Sequence, residues 1–164
     1  MNKKLIFLDT EFTDFSREPK LVSVGLVTED GDEFYAELPM ETWAKEASEF
    51  VWTNVVPYLE EGAAVLPVPE LAERLQEWLE RQGEVVLISD APAFDEEILE
   101  RLYREAWSPA RPPACWYFGT GAETPAENDT EGGDHAVEHH ALHDARRLRA
   151  VYQRSLETGW GGLD

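Results

Sequence analysis

Asp9 and Glu11 stand two residues apart in the stretch Leu5-Ile6-Phe7-Leu8-Asp9-Thr10-Glu11. On a β-strand that spacing turns both side chains to one face. Both would then leave the C-terminal end of an otherwise apolar strand, where like charges repel and burial without partners is costly. A divalent cation removes the conflict. Mg²⁺ and Mn²⁺ take oxygen ligands and commonly sit between carboxylates and substrate phosphates. The bland alternative is that the strand stops at Asp9 and both acids are solvated.

Asp95 closes the run Ser89-Asp90-Ala91-Pro92-Ala93-Phe94-Asp95. A buried strand passes into a helix there, at the carboxyl edge of a sheet, where open α/β sheets bind ligands. An acid in a first helical turn also complements the helix dipole, and Glu96 and Glu97 fit that role. Asp90 suits an Asx turn or an N-cap. A third group is His139-His140-Ala141-Leu142-His143-Asp144-Ala145. On a helix, His140 and Asp144 share a face, whereas His139 and Asp144 are about 140° out of phase. His139 can act with Asp144 only from a loop just before the helix. His135, His139 and His143, spaced four apart, offer a competing zinc face, but the segment looks too loose to hold a regular helix back to His135. Histidines solvated beside an acid-rich loop are the other alternative.

The elements that must position these residues follow from the hydrophobic pattern. Residues 5–12 read as a central strand, because four apolar residues in succession need cover on both faces. Leu21 to Thr28 is a second strand, Asp30-Gly31 a hairpin turn, and Glu33 to Leu38 the antiparallel return. Glu41 to Glu61 reads as an interrupted helix limited by Pro57. Pro69 to Arg81 is a firmer helix, with Leu71, Leu75, Trp78 and Leu79 in a stripe and Gly83 as the stop. Glu84 to Ser89 is a buried strand, Phe94 to Trp107 a helix, and Ala114 to Thr120 a short strand. Gly121 to Gly133 is a polar loop. His140 to Thr158 is the last helix. Three strands followed by alternating helices and strands predict a mixed α/β sheet with helices on both sides.

The 164 residues suit one compact domain, and six Trp with 11% aromatic content supply enough burial to exclude disorder as the main state. Cys115 is the single cysteine, so a disulfide framework and a Cys-rich zinc site are both excluded. It reads as a small buried apolar residue. The apolar run after Lys3-Lys4 ends at Asp9, too short for a signal peptide or a membrane span, which predicts a cytoplasmic protein. The net charge of −20, from 14 basic and 34 acidic residues, argues against a broad polyanion binder. Arg146, Arg147, Arg149 and Arg154 could offset that charge locally beside Asp144.

Together, FLDTEFT (Asp9, Glu11), APAFDEEIL (Asp95) and HHALHDA (His139, Asp144) resemble the three motifs of the DEDDh family of 3′–5′ exonucleases. VSVGLVTEDGDEFYAEL is further similar to its small stand-alone exoribonucleases. The resemblance implies an RNase H-like fold: a mixed five-stranded sheet with helices on both faces, in a single exonuclease domain over 1–164. It implies two Mg²⁺ or Mn²⁺ ions held by Asp9, Glu11, Asp95 and Asp144, with Asp9 shared between them. It makes His139 the general base, because the family leaves four residues between histidine and acid. His140 stands where relatives usually carry Asn, and Asp90-Ala91 where many carry His-Asn. The implied substrate is a single-stranded nucleic acid 3′ end, RNA favoured, met by the backbone near Thr10 and by Phe12. Dimeric relatives imply a homodimer, for which stretches around Trp43, Trp52 and Trp160 could serve. The reading from another class is a non-catalytic acidic RNase H-like module that docks on a basic partner protein.

Overall fold

A computed structural model of the chain describes residues 2–118 and 139–158. The acid-rich loop read at 121–133, and with it His135 and Trp160, lies outside the described residues.

Five strands form one sheet in the order β3-β2-β1-β4-β5. β1 (Lys4–Phe12) pairs antiparallel with β2 (Leu21–Thr28), which pairs antiparallel with β3 (Glu33–Glu37). On its other side β1 runs parallel to β4 (Val85–Ser89), and β4 to β5 (Cys115–Tyr117). β1 is central because Ile6, Phe7 and Leu8 need cover from both faces, and all three are fully buried. Every residue of β2 is buried too, so it is covered on both sides rather than on one.

One face carries α3 (Val68–Gln82) and α4 (Pro92–Glu105). Leu71, Leu75, Trp78 and Leu79 of α3 join Ile98, Leu99 and Leu102 of α4 against Ile6, Leu8, Val24 and Leu26. Burial of each such side chain stabilises the fold by roughly 1.5–3 kcal/mol before entropy is counted. α3 stops at Gly83, whose φ of 84° suits a residue without a Cβ. On the opposite face α5 (Ala141–Glu157) sets Ala145 and Leu148 on Phe7, Val27 and Ile88. Cys115 is half-buried beside the larger core, and burial pushes its thiol up to about 12.

The segment read as one interrupted helix over 41–61 is instead two short helices and a 3₁₀ turn, with a second 3₁₀ turn just after it. These are α1 (Met40–Trp43), α2 (Glu49–Asn54), Val56–Tyr58 and Gly62–Ala64. Ser48 caps α2 by accepting from the Val51 N–H, and Pro57 forces the change that follows. The Ser48 N–H donates to the Thr13 carbonyl at 3.0 Å, tying α2 to the end of β1. Trp43 is buried and donates its indole N–H to the Leu38 carbonyl. It therefore belongs to the core and offers no dimer surface, while Trp52 packs on it and is partly exposed. Among the described residues, no helix is long and apolar enough to cross a membrane.

Candidate active site

β1 outruns its parallel neighbour. Its pairing with β4 ends at Phe7, while its pairing with β2 continues to Phe12. The acids Asp9 and Glu11 stand on this extension, where the sheet opens at its carboxyl edge.

Across the ladder from Asp9 is Gly25, and across from Glu11 is Ser23. Gly25 lets α5 come down onto the sheet. A Cβ at Gly25 would lie 2.3 Å from the Leu142 backbone nitrogen, closer than any real methyl can sit. The start of α5 is thereby set beside Asp9. His139 occupies the turn just before the helix with φ 62°, His140 is the N-cap, and Asp144 lies in the first turn. Ligand atoms of Glu11, His139 and Asp144 all fall within 4.8 Å of one another. The Phe50 ring of α2 meets the His139 ring nearly perpendicularly, at 4.9 Å and 84°.

Asp95 arrives from α4. Pro92 occupies the first turn of that helix and Ala91, not Asp90, is its N-cap residue. Asp90 remains exposed, and its charge raises the pKa values of Asp9, Asp95 and Asp144. Asp95 is buried. One carboxylate oxygen accepts from the Thr10 hydroxyl at 2.6 Å and the other from the Ser89 hydroxyl. Ser89 in turn accepts from the Ala91 N–H at 2.9 Å.

The electrostatics are those of crowded negative charge, offset only in part by Arg147 beside Asp144. Burial, then Glu11, Asp95 and Asp144, raise the Asp9 carboxyl well above its ordinary value. Burial, then Asp144, push Glu11 up to about 8. Asp95 is raised by burial to about 6, with the Ser89 and Thr10 bonds pulling the other way. Asp144 is raised by burial against the pull of Arg147, 3.5 Å away, and of His139. Asp9 Oδ2 and Asp144 Oδ1 are buried and accept no hydrogen bond among the described residues. Buried carboxylate oxygens without donors are costly in themselves. A set of hard oxygen donors in this state fits Mg²⁺ or Mn²⁺.

Asp9, Glu11, His139 and Asp144 are thus brought together on one face, with Asp95 at the helix start beside them. His140 points elsewhere, into a buried pocket with Tyr35 and His143. His143 packs on His140 and is not part of the group with His139. Thr10 is buried, its hydroxyl spent on Asp95. Phe12 stacks on Phe94 at 5.8 Å, and the exposed Phe15 meets both edge-on. The arginines of α5 are engaged in several directions. Arg146 forms a two-pronged pair with Glu33, Arg149 donates to the Glu29 carbonyl, and Arg147 meets Asp144. Sequence reasoning missed Gly25, Ser89 and Phe50. Gly25 carried a signal, since a glycine inside a β-branched run marks a close backbone approach.

This strand order, with acids gathered where the central strand outruns its neighbour, defines an RNase H-like α/β protein. The structure of S. pombe Pop2p in its Mg²⁺- and Mn²⁺-bound form has a similar fold. The TM-score is 0.61 at 14% identity, over 98% of this chain and 86% of that one. The chain belongs to the Rv2179c-like 3′–5′ exoribonuclease domain family, whose model matches residues 4–156. It is 34% identical over 118 residues to the 3′–5′ exoribonuclease Rv2179c of Mycobacterium tuberculosis H37Rv. The match to the 3′–5′ exoribonuclease MT2234.1 of strain CDC 1551 has the same extent, 68% of this chain and 67% of that protein.

Proposed function

We propose that this chain is one metal-dependent exonuclease domain acting in the cytoplasm. It releases nucleoside monophosphates from the 3′ ends of single-stranded RNA or short oligonucleotides. The observation that carries the reading is the group of Glu11, His139 and Asp144, with ligand atoms within 4.8 Å of one another, beside the buried Asp9 whose Oδ2 lacks a donor. Membership of an exoribonuclease family supports RNA as the substrate class.

Asp9, Glu11, Asp95 and Asp144 would hold two divalent ions, Asp9 serving both. When bound, such ions supply positive charge to the scissile phosphate and to the entering and leaving oxygens. His139 takes the proton from the attacking water, as a general base set beside Glu11 and Asp144. Asp95, already bonded to Thr10 and Ser89, keeps lone pairs for an ion or for water on it. Past Phe7 the backbone of β1 is no longer paired to β4, which leaves the segment around Thr10 for the terminal nucleotide. Phe12 offers a ring to the base or sugar. Resemblance to dimeric relatives adds a homodimer to the proposal.

The direct test is incubation with 5′-labelled single-stranded RNA and Mg²⁺ or Mn²⁺. Stepwise shortening from the 3′ end, abolished by Asp9→Ala and slowed by His139→Ala, is the expected result. Intact RNA under both metals, from a folded protein, would favour the acidic binding module instead.

A further inference from the structure

We propose that His140 is a positioning residue for His139, anchored by a relay of contacts that starts at the buried Glu37 and passes through Glu60. The inference rests on the exonuclease reading above, in which His139 accepts the proton.

The relay begins on β3. Glu37 is buried, and its carboxylate accepts from the Tyr35 hydroxyl, from the Glu60 N–H at 2.6 Å and from the Glu61 N–H at 3.0 Å. Glu61 stands at φ 59°, so this buried acid fixes a sharp return of the chain. The Glu60 side chain then reaches His140, its Oε1 lying 3.3 Å from Nε2. The Tyr35 ring stacks on His140 at 4.6 Å, and the His143 ring packs at 4.2 Å. On the remaining side His140 Nδ1 caps α5, facing the His143 N–H at 3.5 Å. Nδ1 is thus the ring nitrogen that accepts a hydrogen bond, while Nε2 is buried against Glu60 without a hydrogen bond among the described residues.

His140 is only 4% exposed, so it has no access to a substrate. Its neighbour His139 sits at φ 62°, a left-handed backbone state that is unfavourable for a non-glycine residue and persists where the surroundings over-determine it. The His140 ring is gripped by Glu60, Tyr35 and His143, and its carbonyl accepts from the Asp144 N–H at 2.9 Å. With His140 fixed, His139 is directed to Glu11 and Asp144, edge-on to Phe50.

The test compares wild type with Glu60→Ala, His140→Ala, His140→Asn and the Glu60→Ala/His140→Ala double variant. Glu60 is exposed, so Glu60→Ala keeps the proposal testable if His140→Ala fails to fold. With RNA and Mn²⁺, each Ala variant should lower kcat about tenfold to a hundredfold, because small misplacements of a reacting group have that effect. KM should stay within about twofold, and the double variant should fall no further than His140→Ala. His140→Asn keeps a cap acceptor and should recover part of the loss. A second readout needs no metal. The ¹H–¹³C signal of the His139 ring, displaced by the Phe50 ring current, should move toward its ordinary position in Glu60→Ala. An unchanged His139 signal in Glu60→Ala, a loss confined to KM, or independent multiplying effects in the double variant would overturn the relay. If the wild type leaves RNA intact, the exonuclease reading falls, and the His139 signal still decides the positioning.

Discussion

Gly25 of β2 and Leu142 of α5 touch backbone to backbone, and a Cβ on Gly25 would lie 2.3 Å from the Leu142 nitrogen. Because Gly25 also faces Asp9 across the ladder, this contact sets how close α5 brings His139 and Asp144 to the acids of β1. Gly25→Ala should force the start of α5 outward. Overpacking of this kind costs about 1–3 kcal/mol, or several degrees of melting temperature in a domain of this size. Activity should fall by more than the stability loss explains, because the displaced turn carries His139. Thermal melting and kcat well below the transition check this. An alanine variant matching wild type in both would show that α5 is not seated by this contact.

Stability without metal should depend on pH with a definite sign. Unfolded Asp and Glu lose their protons near pH 4. Folded Asp95 keeps its proton to about 6 and Glu11 to about 8, and Asp9 and Asp144 are also raised. The folded state therefore binds more protons than the unfolded state between those values, and stability falls as pH rises. For Asp95 and Glu11 the contribution is full below about 4 and lost as pH passes about 6 and about 8. His140, lowered by burial and by His143, acts in the opposite sense on the acid side of its ordinary value, so His140→Asn is the control. Melting curves in chelator from pH 5 to 9 should show the decline, and Mn²⁺ should raise the melting temperature most at the alkaline end. A flat profile in chelator would contradict it.

Asp9→Asn separates stability from function. The change removes a carboxylate repelled by Glu11, Asp95, Asp144 and Asp90. In chelator at pH 8 the variant should melt a few degrees above wild type, as expected for a gain of about 1 kcal/mol. The same variant should lose the stabilisation by Mn²⁺ and the exonuclease activity. Calorimetric titration with Mn²⁺ beside the melting curves checks both halves. A variant less stable than wild type in chelator would mean that Asp9 is compensated in some other way.

The sheet and its helices were legible because their periods are strong. β2 spans Leu21–Thr28 as read, and the stripe of Leu71, Leu75, Trp78 and Leu79 is buried on α3. The region around 41–61 was not, because its short pieces are decided by the Ser48 cap, by Pro57 and by the distant Glu37 carboxylate. The three acidic motifs were legible through their resemblance, taken in order, to those of an exonuclease family. What supports them was not: Thr10 and Asp95 lie 85 residues apart, and Tyr35 and His140 more than a hundred. Local pattern carries no information on such pairs until the sheet order is known.

The Thr10–Asp95 bond gives the sharpest remaining prediction. Asp95 is buried, and the bonds from Thr10 and Ser89 hold its pKa down against desolvation. Thr10→Val keeps the shape and removes one donor, so Asp95 should become harder to ionise. The acid limb of the pH–activity profile should then move to higher pH, because in the proposed site the carboxylate must be charged to hold an ion. Outer-sphere changes of this kind typically cost about 10–100-fold in metal affinity, and the loss should shrink toward pH 9. Thr10→Ser returns the hydroxyl and should return the profile toward wild type, while Ser89→Ala should repeat the shift from the other oxygen. A pH profile for Thr10→Val that drops uniformly without moving would mean that Thr10 acts through packing and not through the charge of Asp95.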